Sequence, residues 1–148
     1  MNRPLRVAVI GSGPAGVYAS DALMKSSTDV EVDLFEKMPA PFGLIRYGVA
    51  PDHPRIKGII MALHRVMEKP ELRLFSNVEF GKDITLDELK EHYDAVIFAT
   101  GAVGDRALPT PGADLPEHFG AGEFVGFYDV NPLFERTWDL SAESLSLI

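Results

Sequence analysis

Short apolar runs and amphipathic stretches follow one another along this chain in a strand–helix rhythm. Leu5-Arg6-Val7-Ala8-Val9-Ile10 is rich in β-branched residues and predicts a strand over residues 5–10. A helical pattern follows over residues 14–26, with Ala15, Ala19 and Ala22 as small residues for close packing, and Ser26-Ser27-Thr28-Asp29 ends it in a polar turn. Val30 to Phe35 predicts a second strand with Val30, Val32 and Leu34 on one face. From Arg55 to Glu68, Ile56, Ile59, Ile60, Leu63, Val66 and Met67 form one helical stripe that reads as core, and Pro70 stops it. Leu72 to Phe75 and Val78 to Phe80 read as short strands split by Ser76-Asn77. Thr85 with Glu88 is a capping-box pattern for a short helix to about His92. Ala95-Val96-Ile97-Phe98-Ala99 reads as a buried parallel strand. Residues 102–120 are a Pro- and Gly-rich connection, Glu123 to Tyr128 fits either helix or strand, and Leu145 to Ile148 reads as the start of a strand cut short, as in a fragment.

The first junction in this rhythm carries chemistry. Between strand and helix stands Gly11-Ser12-Gly13-Pro14-Ala15-Gly16. Gly11 permits a sharp turn, Gly13 lets the backbone approach a phosphate, and Gly16 lets the helix sit close to the strand. Pro14 fits the first helical turn, where a missing N–H costs nothing. Free N–H groups and the positive end of the helix dipole then face an anion. Glycines also make ordinary turns, so the second strand matters. It ends in Glu36, twenty residues after Gly16, where a dinucleotide fold places the acid that accepts bonds from ribose hydroxyls. A solvated glutamate at a strand end is the plainer reading. Together these signals predict an α/β, Rossmann-like dinucleotide-binding domain: a parallel sheet of strands near 5–10, 30–35, 72–80 and 94–99, flanked by helices, with the cofactor over the strands' carboxyl ends.

Residues 37–54 interrupt the alternation. Met38-Pro39-Ala40-Pro41-Phe42-Gly43-Leu44 excludes regular helix and central strand, because its prolines fix φ and remove donors. The stretch is too apolar for disorder and reads as a binding loop. Composition narrows the classes further. In 148 residues there is no cysteine, so no disulfide, Cys-type metal site or redox dithiol is available, and redox chemistry would belong to a bound organic cofactor. No apolar run reaches the ~20 residues that span a bilayer, and the N-terminus leaves no room for a signal peptide, so a cytoplasmic location is expected. The net charge of −8 argues against non-specific nucleic-acid binding. It is unevenly spread: residues 1–82 carry 11 Lys/Arg and 9 Asp/Glu, residues 83–148 carry 3 and 13.

Gly11 to Gly16, Glu36, Pro41-Phe42-Gly43-Leu44-Ile45-Arg46, Gly48-Val49-Ala50-Pro51-Asp52-His53-Pro54 and Ala99-Thr100-Gly101-Ala102 together resemble the adrenodoxin-reductase-like ferredoxin–NADP reductases. The resemblance runs on to Phe124-Val125-Gly126-Phe127-Tyr128 and Asp139-Leu140-Ser141. It implies a flavoenzyme in which NADPH passes a hydride to FAD and FAD passes single electrons to an iron–sulfur protein. By matching position, Gly11, Ser12, Gly13, Pro14, Ala15 and Gly16 would cradle the FAD pyrophosphate and Glu36 would hold the adenosine ribose. Lys37, Gly43 and Leu44 join the expected FAD contacts, Leu44 in the loop that approaches the flavin. Phe80 would meet the adenine through its backbone, and Ala99, Thr100 and Gly101 would close over the FAD. His53 would sit near the flavin as the catalytic residue, and Arg106 would contact NADP. Residues 1–148 would form the FAD-binding part. The family's second glycine-rich NADP segment and its closing FAD segment do not occur in these residues.

Other readings stay open at several positions. His53 could be a plain loop histidine, although a group titrating near neutral pH suits a site beside a flavin. Arg46 could be a structural ion-pair partner or could position the flavin. His64, His92 and His118 read as surface, and Trp138 as packing. Arg55, Lys57, Arg65 and Lys69 lie off their helix's apolar stripe, as a solvated face or as a patch that docks an acidic ferredoxin. At the level of function, a nucleotide-binding module without turnover and the electron-entry subunit of a glutamate-synthase-like amidotransferase remain alternatives.

Overall fold

The computed structural model describes residues 3–102, 104–107, 109–115, 118–134, 139 and 141. Four parallel strands form one sheet, β1 (Leu5–Ile10), β2 (Val30–Glu36), β3 (Leu72–Ser76) and β4 (Ala95–Phe98), in the order β3-β2-β1-β4. The expected α/β architecture is therefore present. Val7 pairs with Val32 on one side and with Ala95 on the other, so the glycine-rich turn after Ile10 leaves from the centre of the sheet.

The two-residue period of β1 sorts its side chains onto two cores. Val7 and Val9 join Val30, Val32 and Leu34 against Val17, Leu63 and Val66, which come from α1 (Pro14–Met24) and α4 (Ile60–Met67). Ala8 and Ile10 join Phe35 against Leu89 of α5 (Leu86–His92). Full burial of each such Val or Leu is worth about 1.5–3 kcal/mol. α1 packs through Gly16, Val17 and Ser20, not through Ala15, Ala19 and Ala22: Ala15 and Ala22 are exposed. Ser20 can occupy a buried position because its hydroxyl donates to the Gly16 carbonyl at 2.8 Å. The capping box at Thr85 and Glu88 forms as the spacing predicts.

Several boundaries differ from expectation for local reasons. The loop after Glu36 contains a short helix, α2 (Gly43–Tyr47), entered through left-handed backbone at Phe42 (φ 88°) and Gly43 (φ 48°). The single helix expected over 55–68 is two: α3 (Pro54–Lys57) and α4 are separated at Gly58–Ile59, where the Ile59 N–H reaches back three residues to the Ile56 carbonyl. Ile56 is exposed as a result. Residues 78–80 are no strand. Asn77 adopts φ 58° and turns the chain out of the sheet, and its N–H and that of Val78 donate to the carbonyls of Met38 and Glu36. β4 lies at the sheet edge, with Phe98 half exposed, so the continuous apolar run there is not buried on both faces. The segment Glu123 to Tyr128 is helical, within α6 (Ala121–Tyr128). Trp138 and Leu145 to Ile148 lie outside the described residues. Among the described residues no helix is long and apolar enough to cross a membrane.

Candidate functional site

A cavity of about 730 Å³ opens at the carboxyl ends of the strands. The β1–α1 turn forms its floor. Gly11 stands at φ 103°, and a Cβ there would lie 2.5 Å from the Ala99 carbonyl oxygen. A Cβ on Gly16 would lie 1.9 Å from the Gly11 carbonyl oxygen, so α1 can start this close only with glycine. Gly13 differs: it lines the cavity, and a Cβ there meets nothing within 4 Å. Space is thus kept open in front of the first turn of α1. The N–H groups of that turn have no acceptor within the helix.

Glu36 stands beside this turn. It is buried, and its carboxylate accepts hydrogen bonds from the Ser12 N–H (3.0 Å), the Ser12 hydroxyl (2.6 Å) and the Met38 N–H (2.9 Å). The Ser12 carbonyl in turn accepts from the Phe42 N–H at 2.9 Å. Phe42 is fully buried in the larger core, with its ring edge-on to His64 at 4.8 Å. One network therefore ties the glycine turn, the end of β2 and the loop together. It also brings Gly43 against Gly13, where a Cβ on Gly43 would be 3.2 Å from the Gly13 Cα.

Gly11, Gly13, Pro14 and Ala15 of the turn line the cavity, as do Glu36, Lys37, Gly43, Leu44, Phe80, Ala99, Thr100 and Gly101. The structure thus brings together most of the residues expected from sequence. Ser12 and Gly16 are buried behind the surface and act on its shape. Arg46, His53 and Arg106 do not line it. The Arg46 Nε donates to the Pro41 carbonyl at 2.8 Å, and its guanidinium lies over the Phe42 ring at 5.3 Å. His53 is exposed, with Nδ1 2.8 Å from the Asp52 carboxylate. Of the basic set on α3 and α4, Lys57 pairs with Asp129 at 3.1 Å and Lys69 with Asp21 at 2.7 Å. Those two lysines are tied into the fold, while Arg55 and Arg65 are exposed.

Sequence reasoning missed part of the wall. Tyr47, Val78 and Glu79 line the cavity, as do Asp105, Glu123 and Phe134. It also missed Asp33, a carboxylate 97% removed from solvent in the middle of β2. A signal was available: Arg73 lies directly opposite Asp33 in the β2–β3 register, an opposite-charge cross-strand pair. Among the described residues the charged lining of the cavity is Glu36, Glu79, Asp105 and Glu123 against Lys37. With one cation among them, binding of a phosphate falls to the amino end of α1, an interaction worth about 0.3–1 kcal/mol and up to ~2 in partly buried geometry. A dinucleotide fits this arrangement, because its pyrophosphate can meet the helix end while its uncharged flanks lie along the apolar walls.

A parallel sheet, a glycine turn and an acid ending the second strand define a dinucleotide-binding domain. Comparison with known proteins makes this specific. The family described as pyridine nucleotide-disulphide oxidoreductase matches residues 5–129, and the chain belongs to it. With no cysteine, the chain carries none of the thiol chemistry in that family's name. NADPH-ferredoxin reductase FprA of Mycobacterium leprae (strain TN) is 47% identical over 96% of this chain, which spans 32% of that protein. Mitochondrial NADPH:adrenodoxin oxidoreductase of Salvelinus fontinalis is 42% identical over 97% of this chain and 29% of its own length. A solved structure of Mycobacterium tuberculosis FprA in complex with NADPH matches with a TM-score of 0.84 and 45% identity, over 89% of this chain and 30% of that one. These are the reductases that the sequence resembles. The chain spans about a third of their length.

Proposed function

We propose that residues 1–148 form the FAD-binding part of an NADPH-dependent reductase that delivers electrons to a ferredoxin-type iron–sulfur protein. FAD, when bound, supplies the coupling between a hydride donor and a one-electron acceptor. The observation that carries this reading is the cavity at the strands' carboxyl ends, with the amino end of α1 and Glu36 side by side on it.

The residues singled out on this cavity have definite parts in the proposal. The first-turn N–H groups of α1 hold the pyrophosphate, and Gly13 leaves room for it. Gly11 and Gly16 set the approach of turn to helix. Glu36 has lone pairs beyond its three protein bonds and uses them on a ribose hydroxyl, with Ser12 fixing its orientation. Phe80 and Lys37 border the adenosine side, and Gly43 and Leu44 the flavin side. Ala99, Thr100 and Gly101 close the cavity after β4. For His53 beside the flavin, Arg106 on NADP and Arg46, the support is the sequence resemblance. Arg55 and Arg65 offer an exposed basic surface to an acidic ferredoxin. A cytoplasmic location belongs to the same reading.

The visible spectrum of the purified chain after incubation with FAD and desalting tests it, with the nucleotide released by heat and identified by mass. Flavin bands and released FAD are expected. A folded, colourless protein that takes up only NAD or ADP contradicts the proposal and points to a nucleotide-binding module without turnover.

A further inference from the structure

Beyond the closing Ala99–Gly101 segment, Ala102, Gly104 and Asp105 also line the cavity, as does the start of helix α6, and none of these has a part in the cradle described above. One carboxylate joins them. Asp105 Oδ2 accepts from the Gly122 N–H at 2.8 Å and the Glu123 N–H at 3.3 Å, so it caps α6 from a position 17 residues earlier in the chain. The residue at the usual capping position, Gly120, has no side chain to do this. Its bareness is required. A Cβ on Gly120 would lie 2.1 Å from Asp105 Oδ2, and one on Gly122 would lie 2.9 Å from Oδ1. Asp105, Gly122 and Glu123 all line the cavity. The other end of α6 is held separately, by Lys57 on Asp129 at 3.1 Å.

We propose that Asp105 is a positioning residue for the bound dinucleotide: by capping α6 across the Gly120–Gly122 gap it fixes the part of the cavity wall that α6 supplies. The inference rests on the FAD reading for its ligand and on this geometry for its mechanism. Loss of a helix cap loosens the first turn and its neighbours. A wall free to move encloses the ligand less tightly.

Three variants of the full chain test it, each read by FAD affinity from quenching of flavin fluorescence and by amide exchange at Gly122 and Glu123. Asp105→Ala is expected to weaken FAD binding about fivefold, the equivalent of a typical cap loss, and to speed exchange at both amides. Asp105→Asn keeps an acceptor at the same place and restores affinity to within about twofold, since Asn caps as well as Asp. Gly120→Ala displaces the carboxylate and reproduces the Asp105→Ala effect, and it adds nothing when Asp105 is already Ala. Unchanged exchange and affinity in Asp105→Ala overturn the proposal. So do additive effects of Gly120→Ala and Asp105→Ala, and so does failure of Asn to rescue a folded variant. If the parent chain takes up no FAD, the FAD reading falls, and the exchange rates alone decide whether Asp105 holds the wall.

Discussion

Strand β2 carries two buried carboxylates three residues apart, and the fold treats them in opposite ways. Asp33, in mid-strand, is compensated by charge. Arg73 grips it with two bonds of 2.7 and 2.8 Å, Arg6 approaches to 3.7 Å, and the Tyr93 hydroxyl donates to it at 2.6 Å. The bonds that Arg73 donates to Asp33 raise the basicity of its guanidinium, and burial followed by the bond to Asp33 pushes the Tyr93 hydroxyl up to about 12. Glu36, at the strand's end, receives three neutral donors, and among the described residues no cation pairs with it. Asp33 is a closed account of charge in the interior. Glu36 is held in place with its charge uncancelled at the edge of a cavity. The contrast teaches how to separate a structural carboxylate from a binding one when both are buried: by the identity of the partners, not by depth.

Removing Asp33 should give the largest effect on stability. Asp33→Ala breaks two charge-assisted bonds and one phenol bond, and should cost about 3 kcal/mol in urea denaturation. FAD affinity in the protein that remains folded should stay within about twofold. A large loss of affinity would erase the contrast. Glu36→Gln should do the reverse. Its amide N–H₂ must face donors, which costs about 1 kcal/mol of stability, while FAD affinity should fall about 30-fold, roughly 2 kcal/mol. An unchanged affinity would make Glu36 a brace like Asp33.

The two smaller effects are pH dependences. The Tyr93 pKa is raised from 10.0 to about 12, so its contribution is complete below pH 10 and is lost as pH rises through 12. Tyr93→Phe should cost about 1 kcal/mol at neutral pH and should abolish that alkaline loss, which denaturation between pH 9 and 12 would read. At the amino end of the sheet, the side-chain bond from Arg3 and the backbone N–H of Arg6 hold Asp94 down from 3.8 to about 2. Its contribution is therefore present above pH 3.8 and lost as pH falls through 2. Asp94→Asn should lower stability in the neutral region and flatten this part of the acid limb, so that parent and variant converge as pH falls to about 2.

How far the sequence carried the fold depends on which forces were local. β1, β2, the Thr85 box and the glycine turn were legible because period, capping chemistry and backbone freedom act within a few residues. The break at Gly58 was not, because the apolar stripe runs through it without interruption. The edge position of β4 was also hidden: its composition suits burial on both faces, and strand order is a long-range property. Within the site, Gly11, Gly13 and Glu36 were readable from spacing. The partners of Glu36, the left-handed entry at Phe42 and the cap from Asp105 depend on segments that meet only in three dimensions.

The central claim is that the open space before α1 belongs to a pyrophosphate. Gly13→Val tests it most directly, since the added side chain begins in space that no protein atom occupies within 4 Å. Fluorescence titration with FAD, beside a thermal melt, should show a variant as stable as the parent to within about 1 kcal/mol that no longer retains FAD. A folded Gly13→Val variant that binds FAD as tightly as the parent would contradict the account.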